Sequence, residues 1–297
     1  MKRRLLSFVL IVSIVLSFSS CYIGNKVFIE TVDDVPEFNA ESPYVEINGN
    51  VPVFTAEEMV AESYEFYSDL DSSGRCGMVM ASIGVDIMPT EERGEIGMIK
   101  PAGWHTIKYD VVDGKYLYNR CHLIGYQLTG ENANPNNLIT GTRYLNVDGM
   151  LPFENMVADY VKETENHVMY RVTPIYDEDC LIARGLQMEA KSVEDNGKGI
   201  EFNVYVYNNQ PGVSINYYNG ESVLGDGVKF DKPNDKITTN SVLYFIINTN
   251  SKKFHKYSCN HALKTSFENK AVSYKTSEEL IKEGYSPCKV CNPNINN

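Results

Sequence analysis

Between residues 209 and 240 the chain carries Pro211, Gly212, Gly220, Gly225, Gly227 and Pro233. Proline removes a backbone donor and glycine weakens both helix and strand, so no long regular element is expected to cross that stretch. It predicts two folding units, 52–212 and 241–297, joined by a linker at 213–240, although the start of the proline- and glycine-rich stretch can still belong to the first unit. The overall composition, 43% hydrophobic, suits one sizeable core and one small satellite.

The N-terminus reads as an export leader, residues 1–20. Lys2, Arg3 and Arg4 precede an apolar run from Leu5 to Phe18, then Ser19, Ser20 and Cys21. The run is too short to span a membrane comfortably. Cys21 after two serines resembles a bacterial lipoprotein acceptor, which implies a lipid anchor; the alternative is an ordinary secretory signal cleaved nearby. Residues 21–51 are acidic and carry Pro36 and Pro43, and are expected to be a tether. Removing the leader makes the chain three charges more negative than its formal -12. Such acidity argues against storage of a polyanion, but not against an enzyme with a local cationic site.

Thr55 with Glu58 forms a capping box, predicting a helix to about Tyr64. A strand is expected over 76–83 and a loop over 88–103. Asp113-Gly114 between alternating apolar runs predicts a hairpin of 106–112 with 115–123. A loop over 125–137 follows. A helix over 149–163 then carries Met150, Phe153, Val157 and Val161 at helical spacing. Strands are expected near 168–176, 181–191 and 200–207, the last two joined at Asp195-Asn196-Gly197. Export permits a disulfide. Cys76 with Cys180 is a candidate pair, with Cys121 a small packed residue.

On a strand over 115–123, Arg120 and His122 share one face, while Asn119 and Cys121 take the other. Imidazole takes a proton from water near neutral pH, and guanidinium grips phosphate oxygens with parallel bonds. Glu154 falls on the apolar face of the 149–163 helix, where a carboxylate needs a cation. Arg143 or Arg120 could supply one, or a metal with its water shell. Asn146 lies about two helical turns before Glu154, on a similar side. An amide oxygen with few other protein ligands suits Mg2+. His105 beside Trp104 is expected to pack, and no function attaches to His167.

The run Asn119-Arg120-Cys121-His122, followed by Asn137, Asn146 and Glu154, resembles the DNA/RNA non-specific endonucleases of the ββα-metal type, including DNA-entry nucleases. The resemblance implies an α+β fold with a mixed or antiparallel sheet around a ββα-metal core. It also implies Mg2+-dependent cleavage of DNA, and of RNA, to 5′-phosphate ends. In it His122 is general base, Arg120 stabilises the phosphate and Asn137 holds the site together. Asn146 binds the metal and Glu154 acts on it through water. Asn119 and Cys121 depart from the family's Asp and Gly, at positions expected to face away from the Arg/His side.

In the last unit, Cys288-x-x-Cys291 forms a thiolate knuckle that Cys259 and His255 can complete as a structural Zn2+ site, giving a small zinc-stapled α+β domain. His261 competes for the fourth place, and a disulfide with a leftover thiol is the alternative. The pattern resembles Ada-like zinc tails on some bacterial nucleases. A non-catalytic DNA-binding lipoprotein is the alternative to an enzyme. Retention of Arg120, His122, Asn146 and Glu154 together opposes it. The leader argues against an antibacterial toxin.

Overall fold

The computed structural model describes residues 29, 31–38, 42–177, 179–225, 245–256, 259–266, 269–273 and 275–293. The leader, Cys21, the linker part 226–240 and the start of the last unit, 241–244, lie outside them.

The strands are β1 (Tyr44–Glu46), β2 (Tyr64–Tyr67), β3 (Val79–Ile83), β4 (Tyr118–His122), β5 (Leu138–Thr142), β6 (Val168–Ile175), β7 (Gly185–Ser192), β8 (Glu201–Tyr207), β9 (Val213–Ile215) and β10 (Ser222–Leu224). Helices α1 (Tyr126–Thr129) and α2 (Leu151–Thr164) belong to the same part of the chain. The main sheet is antiparallel with the order β1-β8-β7-β6-β3-β2. Val168, Tyr170 and Val172 alternate along β6 and join Met188 and Val204 in one core. Phe153, Val157 and Val161 of α2, four residues apart, bury the helix stripe in that same core.

The same strands also bury polar residues. Arg171 and Glu189 are directly opposed on β6 and β7 and form an ion pair at 2.8 Å. Arg171 also donates to Val53 O at 2.6 Å and meets Glu58 at 3.2 Å. Val53 N donates to Glu189, and Asn203 donates to Val51 O. A buried guanidinium and carboxylate are tolerable only when so completely satisfied. The segment expected as a tether therefore enters the fold. β1 pairs with β8, and Ile29 and Ile47 are buried against Tyr205 and Tyr207. The Thr55–Glu58 capping box forms, yet it closes only a turn. The chain then runs into β2, because pairing with β3 and the Glu58–Arg171 contact outweigh local helix preference.

The hairpin at Asp113-Gly114 forms, but it is shorter than expected. One bridge, Lys108 with Tyr116, joins its arms, and the turn is closed by positive φ at Gly114 and Lys115, 66° and 70°. The strand partner of β4 is β5, with Tyr118 opposite Thr142 and His122 opposite Leu138. The arm before the turn instead packs Trp104, Ile107, Tyr109 and Val111 against a second cluster containing Leu117, Tyr118, Val213, Ile215 and Tyr217. That cluster makes 213–225 a folded ribbon, β9 with β10, where a linker is expected. The 125–137 loop holds α1, and a π-turn over Leu145–Met150 leads into α2.

The C-terminal unit consists of β11 (Phe245–Asn248), β12 (Lys253–Lys256), α3 (Asn260–Leu263), β13 (Lys270–Ser273), α4 (Ser277–Lys282) and β14 (Ser286–Pro287). Its sheet order is β13-β11-β12-β14, and the Thr276–Glu279 capping box starts α4. Among the described residues every cysteine is a free thiol. The Cys76–Cys180 pairing is not made: Cys76 packs in the main core and Cys180 in the second cluster. The fold is α+β, with a ββα core of β4, β5 and α2 and a small C-terminal sheet unit.

Candidate active site

β4, the turn after β5 and the start of α2 converge on a cleft of about 780 Å³. Arg93, Arg120, His122, Asn146 and Glu154 line it, with Trp104 on its wall. Asn137 does not line it. Fully buried, its amide accepts from Ile124 N at 2.8 Å and donates to Ile124 O at 3.0 Å, fixing the chain just after His122.

His122 is buried, and both ring nitrogens are engaged. Nε2 lies 2.8 Å from Asn132 O. A carbonyl only accepts, so Nε2 carries the proton and Nδ1 is the bare lone pair. Nδ1 accepts from Arg93 Nη2 at 3.1 Å. Burial, followed by the Arg93 charge and opposed by the Asn132 bond, pushes the imidazole pKa down to about 4. The ring is therefore neutral near pH 7.

Glu154 is buried on α2, and burial raises its carboxyl to about 7 against the pull of Gln127 and Arg93. Among the described residues it makes no ion pair. Arg143 is instead bound to Asp113 at 2.9 Å. Arg120 donates to Ile99 O and, at 2.8 Å, to Gly97 O, and stacks 4.1 Å from the Trp104 ring centre. The neighbour above Glu154 is Gly125, where a Cβ would lie 2.8 Å from the carboxylate. An unpaired buried carboxylate beside a glycine-made gap fits a hydrated divalent cation.

Asn146 is held from both sides. Cys121 Sγ donates to its Oδ1 at 2.8 Å, and its Nδ2 donates to Asn119 Oδ1 at 3.3 Å. Asn119 itself lines the cleft. The expectation that Asn119 and Cys121 face away from the site is thus corrected. The chain turns back after β5 so that Asn146 lies against the opposite face of β4, and the site spans both faces of the strand.

Sequence reasoning missed Arg93. It sits in the 88–103 loop, within Glu91-Glu92-Arg93-Gly94, where no periodicity marks a side chain that will reach residue 122. The three cleft arginines, 93, 120 and 143, give a cationic lining to an acidic chain. His105 is bonded through Nε2 to Asn219 O at 2.9 Å, and His167 pairs with Glu194 at 2.7 Å.

A second constellation lies in the C-terminal unit. One ligand atom from each of His255, Cys259, Cys288 and Cys291 falls within 4.8 Å of the others, an arrangement that can hold a metal ion. His255 Nδ1 is buried with no hydrogen-bond partner. Backbone N–H groups of Lys256 and Val290 donate to the sulfurs of Cys291 and Cys288 at 3.4 Å. His261 is exposed and outside the group.

Residues 55–194 match the family described as DNA/RNA non-specific endonuclease. Three solved structures share the fold. NucA from Streptococcus agalactiae with magnesium ion bound aligns at TM-score 0.55 and 26% identity, over 63% of this chain and 91% of that one. The same protein with no metal bound aligns at 0.57 and 26%, over 66% and 92%. Sda1 nuclease with bound zinc ion aligns at 0.54 and 27%, over 61% and 96%. On that match and these neighbours the chain is a nuclease enzyme, similar over residues 55–194 to the DNA/RNA non-specific endonucleases.

Proposed function

We propose that this protein is an exported, Mg2+-dependent endonuclease that hydrolyses DNA, and RNA as well, with little sequence preference. The observation that carries the reading is the tautomer of His122. Its Nε2–H is tied to Asn132 O, so Nδ1 is a base held in the same cleft as Asn146 and Glu154. In this reading Arg93 leaves Nδ1 for the substrate phosphate, and the freed lone pair accepts a proton from water as the water oxygen attacks phosphorus in line. The 3′ oxygen leaves, and the product keeps a 5′-phosphate. Arg120 and Arg93 hold the phosphate as its charge grows. Asn146 would hold the cation, Glu154 would act on it through water, and Asn137 fixes the chain between β4 and α1. Bound Mg2+ supplies Lewis-acid polarisation and charge neutralisation at the phosphate. Contacts to phosphate carry no sequence information.

The leader and Cys21 support export with a lipid anchor. His255, Cys259, Cys288 and Cys291 fit structural Zn2+: three thiols and one imidazole form a closed set, and the orphaned His255 nitrogen gains a partner.

The test is plasmid nicking by residues 22–297. Cleavage is expected to stop in EDTA and return with excess Mg2+. His122→Ala is expected to lose about 10³-fold in rate with its melting curve unchanged. A metal-restored wild type that binds DNA but never nicks it would return the chain to a non-catalytic binding role.

A further inference from the structure

The two departures from the family's sequence pattern meet on one side chain. A primary amide is nearly symmetric in shape, so packing alone does not decide which end is oxygen. At Asn146 the neighbours do decide. The Cys121 thiol offers a donor to one end, at 2.8 Å, and Asn119 Oδ1 offers an acceptor to the other, at 3.3 Å. Asn119 is oriented in turn, because Arg143 Nη1 donates to the same Oδ1 at 3.5 Å and is itself anchored on Asp113.

The space for the thiol is built in. Residue 121 pairs with Ile139 on β5, and Gly141 lies two residues further along that strand. A Cβ at Gly141 would sit 2.7 Å from Cys121 Cβ and 3.0 Å from its sulfur. The volume added at 121 is therefore matched by the absence of a side chain at 141. The sulfur also lies 3.5 Å from Met150 Sδ, so it is wedged between β5 and the π-turn that carries Asn146.

We infer that Cys121 is a positioning residue: its thiol, with Asn119, locks the Asn146 amide in the one orientation that keeps the oxygen available to a divalent cation. The inference rests on the reading of Asn146 as the residue that holds the metal. An oxygen has two acceptor sites, so one taken by the thiol leaves the other for the ion. Neighbours that orient a ligand commonly tune metal affinity in this way.

Mn2+ binding to the full chain, loaded beforehand with Zn2+, tests this without turnover. Free Mn2+ is counted by electron paramagnetic resonance at low temperature, where all variants are folded. Cys121→Ala removes the sulfur and with it the donor, and should weaken Mn2+ binding about 5- to 10-fold. Cys121→Ser restores a donor and should recover most of the loss. Asn146→Ala should abolish binding. If Cys121→Ala binds Mn2+ like wild type, or Ser is as weak as Ala, while Asn146→Ala fails to bind, the positioning role is wrong and the metal reading stands. If Asn146→Ala binds normally, the metal reading itself falls.

Discussion

The two clusters of metal-capable side chains in this chain are built on opposite principles. In the C-terminal unit three sulfurs and an imidazole lie within 4.8 Å of one another, three of the four residues buried. In the nuclease cleft the carboxylate of Glu154 and the amides of Asn119, Gln127 and Asn146 face about 780 Å³ of open space. A closed set of soft donors suits an ion whose work is holding the fold. A sparse set of hard donors suits an ion that keeps its water and meets a substrate. The difference shows also in what surrounds each cluster. Backbone N–H groups point at the sulfurs of the first. Arginines surround the second.

The largest expected effect breaks the closed cluster. Cys288→Ser should release Zn2+, and binding energy on the order of 10 kcal/mol should leave with it. Hydrogen exchange should then show β11 to β14 losing protection. Turnover should persist, since no described residue of that unit lines the cleft. Turnover that falls along with the zinc would mean the two clusters are coupled, through the contact of Val111 and Leu224 with the Ile246 cluster.

The open cluster is sharpened by Arg93→Ala. Losing a cation aimed at developing charge should cost about 10²-fold in kcat. The variant also removes one of the two causes that hold the His122 pKa near 4, while burial remains. The acid limb of the pH–rate profile should therefore move up, yet stay below the ordinary imidazole value of 6.5. A limb that does not move would show that Arg93 is not beside the base in the working enzyme.

The contrast extends to what the sequence discloses. The closed cluster is legible because two of its ligands are three residues apart and a knuckle needs that local spacing. In the open cluster His122, Asn146 and Glu154 are legible through a resemblance. Arg93 is not, because only the fold of the 88–103 loop brings it to His122. The α2 stripe and β6 to β8 follow from periodicity. The Thr55 helix misleads and the 106–123 hairpin is shorter than its pattern, because each local signal is genuine and a distant partner wins. Arg171 claims Glu58, and β5 claims β4. The segment around β1 looks like a tether because the apolar residues it buries, Ile29 and Ile47 against Tyr205 and Tyr207, are 18 residues apart and follow no period, and its other contacts are polar groups of Asn50 and Val51 meeting Asn203.

A smaller effect separates the two clusters by sign. Burial lifts the Glu154 carboxyl from its ordinary 4.5 to about 7. With the folded value above the unfolded one, the folded state holds the proton more tightly between those limits. The stability from this group is complete below pH 4.5 and is lost as the pH rises through 7. Glu154→Gln keeps the shape and removes the charge. Metal-free, it should be more stable than wild type at pH 8 by about 3 kcal/mol, and equal to it at pH 4. Mg2+ should then stabilise wild type and leave the variant almost unmoved. Cys288→Ser should never stabilise, since a thiol set closed on itself carries no comparable unpaired charge. Equal melting of wild type and Glu154→Gln at pH 8 in EDTA would mean that a protein cation already neutralises the carboxylate, and the cleft would then be as closed as the cluster it is contrasted with.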